Sequence, residues 1–299
     1  MNFNFDVFDL ISEYGAISTK EYLEFVSYKD QDLLKNYETI IVFLFPYETK
    51  KVQSSEIEKY PAAYSRSLDY HNVAKNLMDK AVNALKTAGF LAESLIDNSF
   101  INEQKAALIA GLGSLGKNNL VLNKKFGTHF FIGTILTNLK FQKKLDFSLL
   151  CGDCNKCITS CPVNALAPFY DYKKCLSYLS QAKIPFTKEN IKSIKVIFGC
   201  DICQDSCPFN KVSYDGIISF DENAKIDLLE LFTLNNQEFK NKYSKYAFSW
   251  RGLLVLKRNA LCILFNQKYD IKDLLIQELK NDTPWYHETV INILEMVDE

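Results

Sequence analysis

"CGDCNKCITSCP" (151–162) sets four cysteines at gaps of two, two and three residues and follows the last with proline. A [4Fe–4S] cubane needs four thiolates converging on its corners, and a tight loop with two-residue gaps supplies three. A cysteine three residues further on, before proline, starts to lead away; in two-cluster ferredoxins it binds the other cluster. On that logic Cys151, Cys154 and Cys157 hold one cluster and Cys161 belongs to a second. The theme returns in "CDICQDSCP" (200–208), with Cys200, Cys203, Cys207 and a second Cys–Pro. Cys175, in "KKCLSYL" (173–179), is the only other cysteine of the segment and fills the eighth place. The spacing therefore predicts Cys151, Cys154, Cys157 and Cys207 on one cluster, and Cys161, Cys175, Cys200 and Cys203 on the other. CxxC pairs also suit zinc, but the CxxCxxCxxxCP run argues for iron–sulfur clusters.

The surrounding chain agrees with a metal reading. Eight of its nine cysteines fall between Cys151 and Cys207, and a disulfide scaffold would be a short secreted chain. The ninth, Cys262, sits in an apolar helical pattern and reads as a small buried hydrophobe. With 47% hydrophobic and 24% charged residues the composition is that of a soluble globular protein, and 299 residues allow two domains or one large domain with additions. "TIIVFLF" (39–45) is far shorter than the roughly 20 residues a membrane helix needs. "MNFNFDVFDLISEY" (1–14) carries acids and lacks a basic n-region, so no secretory signal is expected. The chain is read as cytoplasmic and monomeric. Its net charge of −1 does not advertise nucleic-acid binding, yet leaves room for a local basic face.

The organisation expected is α+β. Residues 1–148 read as a mixed α/β domain, 149–216 as a cysteine-rich ferredoxin-like domain, and 217–299 as helices. "TIIVFLFPY" (39–47) and "HFFIGTILTNL" (129–139) read as strands. "HNVAKNLMDKAVNALKTAGF" (71–90) reads as an amphipathic helix ended by glycine. Helices are also expected over 225–232, 252–265, 270–280 and 284–297, the last capped by Asp282 or Thr283 with Pro284 near its first position.

"GLGSLGKNN" (111–119) matches GxGxxG, which raises a dinucleotide fold. That fingerprint also asks for an acid about 20 residues on. From Gln104 to Leu145 there is none, and seven lysines stand there instead. Such a stretch suits an anionic partner, the phosphates of a cofactor or of RNA. Its plainer reading is a tight turn with solvated lysines.

Taken together, the double cysteine motif, "CLSYL" (175–179), "DYH" (69–71), "GLGSLGKNNLVLN" (111–123), "FIGTILTNL" (131–139), "FGCDICQDSCPFNK" (198–211) and "RGLLVLKRNALCILFN" (251–266) resemble the epoxyqueuosine reductases. The motifs run in order from about residue 40 to the end. The resemblance implies a cobalamin-dependent enzyme with two [4Fe–4S] clusters that reduces epoxyqueuosine in tRNA to queuosine. It implies a cobalamin-binding α/β domain like that of reductive dehalogenases, a ferredoxin-like domain, and HEAT-like helices that help hold tRNA. It also assigns Asp97 as proton donor, and marks Glu103 as an acid of the same motif. Tyr64, Asp69, Tyr70 and His71 match the segment beside the active site, and the cofactor contacts expected are Tyr64, Asp69, His71, Gly111, Gly113, Gly116, Lys117 and Asn118. An unidentified electron donor completes the list of partners.

Each of these residues has a duller reading. Asp97 suits a turn, Asp69 and His71 suit a helix cap, and Lys117 and Asn118 could simply finish the glycine turn. The chain also departs from the family: Ser99 and Phe100 replace a Gly–Pro after the catalytic Asp, Ser114 an aromatic residue, and Thr134 an acid. Its helical C-terminal part looks short. Two other readings follow, a cobalamin and iron–sulfur reductase of another, small substrate, and an electron carrier without catalysis. Retention of Asp97 favours an enzyme over the carrier.

Overall fold

"TIIVFLFP" is buried at every position, and a strand buried throughout needs cover on both faces. The computed structural model, which describes residues 3–26, 31–97, 99–146, 149–211 and 216–298, supplies it. Its strands are β1 (Tyr14–Ser18), β2 (Thr39–Pro46), β3 (Glu58–Lys59), β4 (Ala92–Ile96), β5 (Ser114–Leu115), β6 (Val121–Leu122), β7 (Phe130–Thr137) and β8 (Ile226–Asp227). Two compact units emerge, each assembled from three stretches of chain: Met1–Thr49, Asp69–Asn155 and Cys207–Ser219 in the first, Lys50–Leu68, Lys156–Ser206 and Phe220–Glu299 in the second. The segment 149–216 is thus shared between them.

The first unit is built on a sheet of order β1-β2-β7-β4, antiparallel at every pairing. Alternation assigns the two faces of β2. Ile40, Val42 and Leu44 pack with Ala106, Ala107 and Ala110, around the helix Glu103–Ile109. On the opposite face a Cβ at Gly133 of β7 would stand 2.9 Å from the Met78 sulfur and 3.0 Å from the Phe45 ring. Met78 belongs to the helix Tyr70–Thr87, whose buried residues Ala74, Met78, Ala81, Val82 and Leu85 follow the helical period. Asp69 caps its start, and Gly89, at φ 88°, turns the chain after its end.

In the second unit the helix Leu253–Asn266 is the centre, with Arg258 and Asn259 fully buried among its apolar residues. The helix Pro284–Asp298 packs beside it, and Lys272–Glu278 packs on Pro284–Asp298. One expectation fails. Residues 225–232 are not a helix but β8 followed by a 3₁₀ turn at Glu230–Phe232. Buried Ile226 and Leu228 alternate as in a strand, and the Asp227 carboxylate accepts from the Leu229 and Glu230 amides at 2.9 and 3.0 Å, closing a turn.

Candidate redox and active site

The cysteine loops are short irregular turns between one-turn helices, and they bring thiols together within each unit. In the first, Cys207 lies beside Cys151 and Cys154; burial raises its thiol pKa, and these neighbours push the same way. In the second, burial pushes Cys200 up to about 12, with Cys175 and Cys161 adding to it. Cys203 is likewise pushed by burial to about 12, next to Cys200, Cys175 and Cys157. These thiols resist ionisation unless a cation compensates, which is the setting iron–sulfur clusters supply.

Two details tie the halves of the second unit's cysteine segment together. The hydroxyls of Ser160 and Ser206, each directly before a Cys–Pro, lie 3.0 Å apart and bind the carbonyls of Cys157 and Cys203 at 3.1 and 3.0 Å. The repeated Ser–Cys–Pro was the visible signal for this pair. The backbone after Cys175, short helices joined by loops, is clamped from the helix Leu253–Asn266. Arg258 donates to the carbonyls of Leu179 (2.8 Å), Ala182 and Ile184 (3.3 Å), and Asn259 to those of Ser180 and Ile197 at 2.7 and 2.9 Å. Asn266 reaches the Ile191 and Ile194 carbonyls at 2.8 and 2.9 Å. Buried carbonyls need partners, and here three polar residues of one helix provide them.

The acid–base residues collect in the first unit, where β4 ends. Asp97 directly follows that strand with φ 57°, a left-handed conformation that costs a non-glycine residue about 1 kcal/mol and is typical of functional turns. Glu103 holds the turn: its carboxyl accepts the Asp97 N–H at 2.6 Å, and burial raises its pKa to about 8. The Asp97 side chain is 54% exposed, open to a substrate. Its Oδ2 accepts from the Tyr70 hydroxyl at 2.6 Å and faces His71 Nε2 at 3.2 Å. The other ring nitrogen of His71 is 2.6 Å from Asp69 Oδ1. Asp69 also accepts the His71 N–H as helix cap, so the cap and the functional reading describe one residue. Tyr70 is fixed by stacking between Phe131 (3.6 Å, 8°) and His71 (4.1 Å, 24°). A neutral imidazole has one N–H to donate, and here both ring nitrogens face carboxylate oxygens. Both contacts are hydrogen bonds only when the Asp69–His71–Asp97 array carries one extra proton.

The glycine loop is not a dinucleotide turn. It follows the helix Glu103–Ile109 rather than a strand and leads into the β5–β6 hairpin. Its glycines answer to packing: a Cβ at Gly111 would meet the Leu145 carbonyl at 1.9 Å, and one at Gly113 the Leu122 carbonyl at 2.6 Å. A Cβ at Gly116 would meet the Asn118 amide oxygen at 2.6 Å, and that oxygen faces the Leu120 N–H at 3.3 Å. Lys117 points elsewhere, donating at 2.9 Å to Asn155 in the first cysteine loop. Tyr64 belongs to the other unit, where its ring lies against Gly199, next to Cys200. Ser114 and Thr134 are buried at 3% and 0% exposure, so those two departures alter packing rather than an open pocket wall.

Residues 150–210 match the family described as a 4Fe-4S double cluster binding domain. The chain is 34% identical over 250 residues to an epoxyqueuosine reductase of Lactococcus garvieae, covering 78% of this chain and 70% of that one. Its counterpart in Listeria monocytogenes is 28% identical over 285 residues, 90% of this chain and 73% of the relative. The solved epoxyqueuosine reductase of Streptococcus thermophilus superposes with a TM-score of 0.86 at 29% identity, covering all of this chain and 91% of that one. An epoxyqueuosine reductase solved with an epoxyqueuosine-modified tRNA stem loop shares the fold, with a TM-score of 0.80 at 23% identity over 97% of this chain and 98% of that one. By its curated relatives, its double-cluster segment and its fold, the chain belongs to the epoxyqueuosine reductase family.

Proposed function

We propose that the chain reduces epoxyqueuosine in tRNA to queuosine, and that Asp97 delivers a proton to the departing oxygen. The observation that carries this reading is the Asp69–His71–Asp97 array in a half-exposed turn, in a chain that also gathers thiols for two clusters. Opening an epoxide to an alkene consumes two electrons and two protons and releases water. The array handles protons and contains no electron donor, so its chemistry fits a separate redox centre. A bound cobalamin supplies a low-potential metal centre able to engage the ring. Tyr64, Asp69, His71 and the loop Gly111, Gly113, Gly116, Lys117 and Asn118 would hold it. Cys151, Cys154, Cys157 and Cys207 would bind one [4Fe–4S] cluster, and Cys161, Cys175, Cys200 and Cys203 the other.

In this array Tyr70 and His71 orient the Asp97 carboxyl, and a proton passed on through His71 would restore the acid after transfer. The parts 1–148, 149–216 and 217–299 divide the work into proton chemistry, electron supply and scaffold. No helix among the described residues is long and apolar enough to cross a membrane, and a monomer acting on tRNA in the cytoplasm fits that. The test is anaerobic incubation of the reconstituted protein with cobalamin, a strong reductant and tRNA carrying epoxyqueuosine. Cobalamin-dependent loss of one oxygen from the nucleoside, seen by mass spectrometry, is the expected result. Intact clusters and bound corrinoid without conversion would point to a different substrate.

A further inference from the structure

An open groove of about 640 Å³ lies in the second unit along the helix Lys188–Ser193. Its floor is apolar and consists of Pro162, Leu176 and Ile202. Each is a chain neighbour of a thiol assigned to the second cluster: Pro162 follows Cys161, Leu176 follows Cys175, and Ile202 precedes Cys203. Its wall carries Lys188, Lys192 and Lys195, all exposed, against the single acid Glu189. Lys188 pairs with Glu295 at 3.9 Å, while Lys192 and Lys195 form no ion pair with a described residue. The surrounding segment, 156–199, has seven lysines and two acids in a chain whose net charge is −1. The same segment carries Phe169, 84% exposed, next in sequence to Tyr170, which lies by Cys175 and Cys203.

We propose that this groove is the docking site of an acidic one-electron carrier protein that feeds the second cluster. The inference rests on the two-cluster reading. An apolar floor one residue from three cluster ligands brings a seated redox group close, since adjacent Cα atoms are only about 3.8 Å apart. The lysine wall selects a carrier with an acidic rim, the steering used by small transient redox complexes. Each encounter oxidises the carrier by one electron and reduces the cluster by one. Two encounters and two protons convert one epoxide to alkene and water. RNA also seeks lysines, but phosphate contacts give no reason for an apolar floor at cluster ligands. Cys203 lies beside Cys157, a ligand of the first cluster in the same assignment, so an electron has a short onward step.

The test uses reconstituted full-length protein and a photoreduced acidic [2Fe–2S] ferredoxin as probe, with cluster bleaching followed by stopped flow. The variant K192E/K195E changes only exposed side chains. Its second-order reduction rate is expected to fall about tenfold or more at low salt and to converge with wild type at high salt. K192R/K195R should keep the wild-type rate, and reduction by dithionite and the affinity for tRNA should not change in either variant. An unchanged rate with ferredoxin would overturn the proposal. So would a loss of tRNA affinity without a slower reduction, which would give the groove to RNA. Wild-type protein that takes no electrons from dithionite would remove the two-cluster reading, and this proposal with it.

Discussion

The turn at Asp97 and the stretch 175–198, where only short helices interrupt loop, are held in opposite ways. The backbone after Cys175 is clamped by Arg258, Asn259 and Asn266, whose donors fill its buried carbonyls. The Asp97 turn, by contrast, sits in a strained conformation, half open to solvent, and its backbone amide is held by the Glu103 carboxyl. Electron transfer gains from ligands that do not move when charge arrives. Proton delivery needs a group able to approach and leave its partner. The contrast teaches that rigidity is distributed by task rather than by secondary structure.

The contrast can be broken in four ways. The largest effect is expected from Cys200→Ala: iron content should fall from about eight atoms per chain to about four, with turnover abolished. Iron analysis and electron paramagnetic resonance read this, and full iron content in the variant would remove Cys200 from the ligand set. Next comes Asp97→Asn, which should keep both clusters and lower turnover by about 10²–10⁴-fold. Normal turnover would show that another group gives the proton.

Arg258→Met removes a buried cation and strands the carbonyls of Leu179, Ala182 and Ile184, costing about 2–5 kcal/mol. Thermal unfolding of reconstituted protein should drop accordingly, and the cluster spectrum should bleach before the first unit melts. Simultaneous loss of both units would sink the idea that the clamp acts locally. The smallest effect belongs to Glu103. Burial raises its carboxyl to about 8, above the roughly 4.3 of an unfolded chain. Its stabilising contribution is therefore complete below about pH 4 and lost as pH rises through 8. Glu103→Gln keeps an oxygen for the Asp97 N–H and removes the titration. Its melting temperature should decline less than wild type between pH 5 and 9, and parallel curves would exclude Glu103 as the source.

How much of this was written in the sequence depends on how far each signal travels along the chain. Thiol ligands announce themselves because a cubane fixes their spacing locally, and Asp97 stood out through the motifs around it. The helix Leu253–Asn266 was legible from its period, but the role of Arg258 and Asn259 was not, since their acceptors are carbonyls more than 60 residues away. The glycine loop misled for the opposite reason. Its GxGxxG pattern answers to close packing against Leu145 and Leu122, which sequence cannot distinguish from packing against phosphate. At 225–232 an apolar run fitted helix and strand alike, and the Asp227 turn decided it.

In the proposed ligand sets the two quartets are interlaced along the chain: Cys157 and Cys161 part company, and so do Cys203 and Cys207. Interlacing has a consequence for biogenesis. A nascent chain that has exposed Cys151 to Cys161 owns no complete quartet, and at about 5–20 residues per second the missing thiols arrive roughly two to nine seconds later. The clamp from Arg258 emerges later still. Iron loading of both sites is thereby postponed until Cys207 has been made, and a ribosome stalled before Cys203 displays bare thiols with nowhere to place a cluster.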